Sequence, residues 1–368
     1  MKNILFLLVI LVFGACSQKK EATFTLQGNV INTKTDYIIL FQENDIERKI
    51  STLIDTIYLD ENGSFSADFN NEPHYYTLVI NDNKKIPLAI DKEQNINIKV
   101  DDTETSITGS KDTDLLIAYE NLREKSLDRL VKSIRKQISD ENKTENPSPK
   151  KIDSLGQLEI KNYDLHLDEL NTFIKEKMGT SIAIYPTSLR WKGEDNIPFF
   201  DSLVDSFENS HPNLTITEKL REKVTRLQQT SIGGKVPDII MNTADNKTVS
   251  LFSINKKYTL IDFWASWCGP CRRESEILNR LYKKYKDDGF EIYGVSLDTN
   301  KQQWLKAIEK DNRNWANVSS LEGLKTPAAY NFAVTALPMN YVIDSKGRII
   351  AKNLHGAELL EFIDNLMQ

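Results

Sequence analysis

Between Phe24 and about Gly109, apolar residues recur at every second position in short runs: FTLQGNV, YIILFQ, STLIDTIYL, SFSADF, YYTLVI, IPLAI and INIKV, each bounded by turn-forming residues. A period of two puts one side of each run on a core and the other in solvent, so the pattern predicts β-strands. Asp60-Glu61-Asn62-Gly63 lies between two of the runs and predicts a hairpin, because Asn-Gly readily takes the positive φ of the tight turns that join antiparallel strands. The expectation for residues 22–110 is an antiparallel β-sandwich.

From Asp112 the period lengthens. Leu115, Leu116, Leu122, Leu127, Leu130, Val131 and Ile134 recur at helical intervals. Asn146-Pro147-Ser148-Pro149 interrupts them, and a second long helix is predicted from about Lys150 to Lys177, with Leu155, Leu158, Leu165, Leu170 and Ile174 on its apolar face. Shorter helices fill Thr180 to Gln229. No ligand-binding constellation accompanies these stripes, so residues 111–230 read as a helical linker region that packs between domains or forms a dimer.

Ser231-Ile232-Gly233-Gly234 predicts a linker into a last domain, residues 235–368. There VPDIIMNTADNKTVSLFSI reads as a hairpin turning at Asp245-Asn246, followed by the strand TLIDFW, a helix from Cys268 to about Lys286 and the strand FEIYGVSL. A helix near Gln302–Lys310, the strand pair NYVID and RIIAK around Ser345-Lys346-Gly347, and a helix from Ala357 to Met367 complete an α/β pattern with a mixed sheet. The chain is therefore multidomain.

Charge and motif content narrow the function. A net charge of -6 provides no basic field for phosphates, which excludes nucleic acid as a partner. No Gly-rich phosphate loop or zinc-type spacing occurs, and the four histidines, His74, His166, His211 and His355, stand singly, so neither a metal nor an added cofactor is expected. At the N-terminus Lys2 precedes the apolar run Ile4–Phe13, and Gly14-Ala15 lead into Cys16. The run is too short to span a membrane and reads as an export signal, residues 1–16. Small residues before a cysteine resemble the bacterial lipobox, which implies lipidation at Cys16 and anchoring to a membrane, although Phe13 stands where that motif usually has Leu. An ordinary secretory signal cleaved nearby, or a buried structural cysteine, is the other reading. With Cys16 assigned to the anchor, Cys268 and Cys271 are the remaining cysteines, and one closely spaced pair in an exported chain favours catalysis over scaffolding.

The stretch Asp262-Phe263-Trp264-Ala265-Ser266-Trp267-Cys268-Gly269-Pro270-Cys271 runs from strand into helix. A cysteine at a helix N-terminus is favoured as thiolate by unpaired backbone N–H groups, which makes Cys268 the nucleophile; Cys271, one turn further in, is the resolving thiol. Gly269 is expected to let the chain turn tightly, and Pro270 to fix φ in the first helical turn. The stretch resembles thioredoxin. That resemblance implies that Asp262 is a buried carboxylate assisting proton transfer at Cys271, against a plain strand polar residue. It implies that Pro338, in Thr335-Ala336-Leu337-Pro338-Met339, is a cis-proline presenting the Leu337 backbone to an extended substrate, against an ordinary trans proline opening a strand. Trp267 reads equally as substrate contact or core packing.

Signal, hairpin, the long segment from Leu297 to Pro327 and the terminal strand pair are similar to the TlpA/ResA-type envelope-tethered thioredoxins. The first domain resembles, in layout, a β-domain of unknown function that precedes such modules in envelope lipoproteins. The resemblance implies a thiol–disulfide oxidoreductase that reduces or exchanges disulfides of exported proteins, facing the periplasm, with electrons from a membrane donor and no cofactor beyond the Cys268–Cys271 disulfide. Two alternatives stand beside it: a peroxiredoxin-like antioxidant, and an envelope lipoprotein that binds a partner or ligand and carries the thioredoxin module as an accessory.

Overall fold

In the computed structural model the described residues are 22–31, 35–81, 84–101 and 103–368; Cys16 and the expected signal lie outside them. The described residues fall into two units. One takes in the described residues through Glu43, with Ser51–Leu122 and Ser181–Ala183; the other takes in Asn44–Ile50, Arg123–Thr180 and Ile184–Gln368.

The alternating runs form strands β1 (Phe24–Val30), β2 (Tyr37–Asp45), β3 (Ile50–Tyr58), β4 (Ser64–Phe69), β5 (His74–Ile80), β6 (Lys84–Ile90), β7 (Gln94–Val100) and β8 (Thr105–Thr108). They assemble into two four-stranded sheets, ordered β4-β1-β7-β8 and β3-β2-β5-β6, which share one core built from Phe24, Leu26, Leu40, Tyr76, Leu78 and Leu88 among others. Two expectations need correcting. The sandwich is not purely antiparallel, because β1 pairs in parallel with β7, Phe24 opposite Gln94 and Val30 opposite Val100. Nor does Asn62-Gly63 close a hairpin: β3 lies beside β2 in one sheet, while β4 pairs with β1 in the other. The turn is as tight as its sequence demands, since the Asp60 carboxylate accepts from the Asn62 and Ser64 N–H groups at 2.8 Å. Its local chemistry reverses the chain but does not choose the sheet that the next strand joins. Gly63, at φ +75°, supports the β1 edge directly, its carbonyl accepting from Val30 N–H at 2.8 Å.

The helical region contains α1 (Lys111–Leu127), α2 (Ser133–Asn142), α3 (Pro149–Phe173), α4 (Ile184–Thr187), α5 (Ile197–Ser210) and α6 (Thr215–Gln229), with π-helical turns at Asp128–Lys132 and Ile174–Met178. The predicted break at Pro147–Pro149 becomes an N-cap: Ser148 Oγ accepts from Lys151 N–H, and Pro149 occupies the first turn. α5 and α6 pack together, and Trp191 stacks on Phe200 with ring centres 4.5 Å apart.

The expected linker is not slack. Gly233 N–H donates to the Ile349 carbonyl at 2.7 Å, and Ile349 N–H donates back to Gly234 at 2.9 Å. It leads into β9 (Ile240–Asn242), β10 (Thr248–Ser250), α7 (Leu251–Ile254) and β11 (Tyr258–Trp264). Then follow α8 (Gly269–Tyr285), β12 (Phe290–Ser296), α9 (Lys301–Lys310), β13 (Ala316–Val318), α10 (Pro327–Asn331), β14 (Met339–Asp344), β15 (Ile349–Lys352) and α11 (Gly356–Leu366). The sheet order is β13-β12-β11-β14-β15, with β11, β12 and β13 parallel, β14 antiparallel to β11, and β15 antiparallel to β14. Alternate residues of β11 feed two cores. Leu260 joins Leu278, Leu281, Leu359 and Ile363 from α8 and α11, while Ile261 and Phe263 join Val236, Leu251 and Phe332 on the other face. β11 is thus the central, enclosed strand, and α8 starts just after its end.

Candidate active site

Cys268 stands at the N-cap of α8, in extended conformation, with Pro270 in the first turn. Its Sγ accepts from the Cys271 N–H at 3.2 Å and is bonded to Cys271 Sγ. A sulfur in that position faces N–H groups that no helical carbonyl can satisfy, so negative charge left on it by reduction is stabilised there. Cys268 and Cys271 are only 5% and 2% exposed and pack in one apolar cluster with Trp264, Ala265 and Trp304, with Leu337 against it. Access to the pair is therefore narrow, and the more open member is Cys268.

The other sequence-chosen residues divide. Leu337–Pro338 is a cis peptide bond. It leads straight into β14, whose Met339 registers with Phe263 of β11, so the proline loop and the couple emerge from adjacent strands at the same end of the sheet. Trp267 is 61% exposed, which removes the core-packing reading and leaves its ring free to meet another molecule. Gly269 has no steric need to be glycine: a Cβ there would meet only the Arg273 guanidinium at 3.6 Å, and its φ is not positive. The tight turn expected of it is supplied instead by the N-cap geometry of Cys268 and by Pro270.

Asp262, midway along β11, is buried and ion-paired to Arg313 Nη2. Its carboxyl is held above the usual carboxylate range, because burial pushes it up by more than Arg313 pulls it down; Glu274 adds to the rise and His355 opposes it. Glu274, on α8, accepts from Gly356 N–H at 3.1 Å and sits 3.1 Å from His355 Nδ1, a hydrogen bond that pushes the imidazole up.

Several residues around the couple were not singled out from sequence. Asp298, just beyond β12, is buried and holds the loop before Cys268 through Ser266. Arg272, the residue after Cys271, forms a bidentate ion pair with Asp311 and donates to the Ser266 carbonyl at 3.0 Å. Trp304 on α9 covers the cysteines. An Asp following the apolar strand FEIYGVSL was the visible signal for Asp298; Arg313 and Asp311 gave none, because each reaches the site across more than thirty residues of chain. Among the described residues no group of three or more His, Cys, Asp or Glu is placed to hold a metal, and no helix is long and apolar enough to cross a membrane.

A disulfide-bonded cysteine pair at the N-cap of the helix that follows the central strand, on a sheet of this order, is the layout of a thioredoxin-like thiol–disulfide oxidoreductase. Residues 232–352 match the AhpC/TSA family, and residues 24–116 match a domain of unknown function (DUF4369). A thiol-disulfide oxidoreductase ResA of Bacillus cereus is 26% identical over 141 residues, covering 38% of this chain and 79% of ResA. ResA of Bacillus thuringiensis subsp. konkukian is 28% identical over 155 residues, covering 39% of this chain and 81% of its own length. Among solved structures, the thioredoxin domain of a thiol-disulfide oxidoreductase from Bacteroides vulgatus is 33% identical, covers 38% of this chain and 99% of that one, and has a TM-score of 0.36. Over its C-terminal domain the chain matches the AhpC/TSA family and is similar to the ResA-type thiol–disulfide oxidoreductases. That these relatives are disulfide oxidoreductases favours the same reading here over a peroxidase or an accessory module.

Proposed function

We propose that Cys268 and Cys271 are the working couple, and that the chain reduces or exchanges disulfides of exported proteins. The observation that carries this is the Cys268 sulfur at the α8 N-cap, accepting from the Cys271 N–H, with Leu337 packed against the pair. In the reduced state the Cys268 thiolate attacks a substrate disulfide; a Cys268–substrate S–S bond forms and one substrate thiolate leaves. Cys271 then gives up its proton, Asp262 being the acceptor in this reading, and attacks Cys268 Sγ. The Cys268–Cys271 bond forms, the second substrate sulfur departs, and two electrons have passed to the substrate. The Leu337 backbone and the exposed Trp267 ring supply a strand edge and an apolar surface for the extended substrate segment.

Regenerating the dithiol requires a two-electron donor, taken here as a membrane dithiol carrier on the periplasmic side, and the lipidated Cys16 would hold the chain at that membrane. The Gly269-Pro270 dipeptide, shared with thioredoxin, supports the reducing direction. The deciding measurement is the reduction potential of the couple, by equilibration in glutathione or dithiothreitol buffers with thiol trapping. A value near −270 mV, approximately thioredoxin's, supports a reductase, whereas about −120 mV, near that of a strong oxidant, reverses the direction. No disulfide at any poise would remove the redox reading.

A further inference from the structure

The sequence motif of the couple contains no cation, yet a cation is buried beneath it. Arg313, in the segment joining α9 to β13, and its ion-pair partner Asp262 have side chains 0% and 4% exposed. The guanidinium is held on every side. Nη2 donates to Asp262; Nη1 donates to Ser275 Oγ at 2.7 Å; Nε donates to Asn317 Oδ1 at 3.4 Å. Its central carbon lies 3.8 Å from the centre of the Trp264 ring and 5.0 Å from that of Trp315.

Two of these partners lead to the couple. Ser275 Oγ donates to the Cys271 carbonyl at 3.3 Å, one helical turn below the cysteine, and Trp264 packs in the same apolar cluster as both cysteines. The space is provided by Gly294, directly opposite Asp262 on β12, where a Cβ would come within 2.7 Å of Asn317 Oδ1 and 3.1 Å of Trp315 Nε1.

Burying an arginine costs several kcal/mol unless a counter-charge and hydrogen bonds offset it, and an arginine does not give up its proton. Its presence therefore demands a negative partner, and Asp262 is the carboxylate it touches. The other charges bearing on Asp262 come from α8, as Glu274, and from the segment before α11, as His355; Arg313 also feels Asp311 and Arg272. Of the groups facing Asp262, Arg313 is the permanent cation in contact with it.

We propose that Arg313 is a positioning residue for the proton transfer that resolves the mixed disulfide: it keeps Asp262 ionised and aimed, and links that carboxylate through Ser275 to the backbone of Cys271. The inference rests on Asp262 accepting the Cys271 proton. In that step the proton moves from Cys271 to Asp262 while the Cys268–Cys271 bond forms and the Cys268–substrate bond breaks. Without Arg313 the buried carboxyl takes up a proton from solvent instead and is unavailable until higher pH.

The test uses the reduced full chain and the chromogenic disulfide 5,5′-dithiobis(2-nitrobenzoate). The first thiolate released reports attack by Cys268, and the second reports resolution by Cys271. Arg313→Met is expected to move the acid limb of the second phase upward by about one pH unit or more, an about tenfold slower release at a fixed pH on that limb, with the first phase unmoved. Arg313→Lys, which keeps the charge, shifts it less. Asp262→Asn is expected to abolish the limb. If Asp262→Asn alters the second phase but Arg313→Met leaves it as in the wild type, the role given to Arg313 is wrong and that of Asp262 stands. A wild-type second phase in Asp262→Asn removes the Asp262 reading and this inference with it. Should Arg313→Met fail to fold, the double variant D262N/R313M, which removes both buried charges together, must reproduce Asp262→Asn; a wild-type limb there overturns the proposal.

Discussion

The Asp298 carboxylate holds Ser266 twice, accepting from its backbone N–H at 2.9 Å and its hydroxyl at 2.5 Å, and takes a third hydrogen bond from the Ser296 hydroxyl at 2.8 Å. Ser266 lies two residues before Cys268, so this carboxylate, just beyond β12, fixes the approach to the cysteine proposed as nucleophile. Asp298→Ala would leave those donors without an acceptor in a buried site, at an expected cost of about 2–3 kcal/mol in urea unfolding. It should also slow the first phase of disulfide attack. An unchanged unfolding midpoint and an unchanged first phase would show that Arg272 alone positions the loop.

In the proposed reaction Cys268 and Cys271 have separate tasks, and single substitutions tell them apart. Cys271→Ser should accumulate a covalent Cys268–substrate adduct that a non-reducing gel or intact mass reveals, because the resolving attack is missing. Cys268→Ser should form none and turn over at background. An adduct on Cys271 in the Cys268→Ser variant would reverse the assignment.

Two glycines should respond in opposite ways to alanine. At Gly63 the backbone sits at φ +75° and a Cβ would approach the Val30 carbonyl to 2.1 Å, so Gly63→Ala is expected to destabilise the sandwich by about 2 kcal/mol or more. At Gly269 the nearest atom is 3.6 Å away on a flexible side chain, so Gly269→Ala should change stability by less than about 1 kcal/mol. Thermal unfolding of both variants checks the contrast, and equal effects would show that the space around these positions is not what decides them.

The His355–Glu274 pair gives a pH dependence of known sign. The hydrogen bond to Glu274 raises the folded-state affinity of His355 for its proton above that of the unfolded chain. The stabilisation is therefore fully present below the unfolded value, about 6.5, and is lost as pH rises through the higher folded value. Because the imidazole is partly exposed, its size should not exceed about 1 kcal/mol. Compared with His355→Gln, the wild type should be the more stable protein at about pH 6 and lose that advantage above neutrality. A difference between the two that stays constant from about pH 5.5 to about pH 9 would contradict the pairing.

How far the sequence reveals the fold depends on how local the cause is. The switch of period near residue 111, the Pro149 break, the strand-to-helix run ending in Cys268 and the strand pair around Gly347 all express short-range rules, and each appears where its pattern stands. Sheet membership does not. The Asn62-Gly63 turn is specified within five residues, whereas the partner of β4 is β1, more than thirty residues earlier. The site divides along the same line. Cys268, Cys271 and Pro338 belong to contiguous motifs, while Arg313 reaches Asp262 from 51 residues away, and Asp298 reaches Ser266 from 32. Gly269 shows the converse, since a motif residue with an obvious local reading turns out to have open space around it.

The parallel pairing of β1 with β7 also sets an order of events. Val30 finds its partner only when Val100 is available, about seventy residues later, and in the meantime the apolar side of β1 has no sheet to complete except through β4. An emerging chain therefore cannot close the sandwich until nearly the whole module has been synthesised. This high contact order makes assembly slow compared with a hairpin-by-hairpin meander. The first strand laid down is then among the last to be secured.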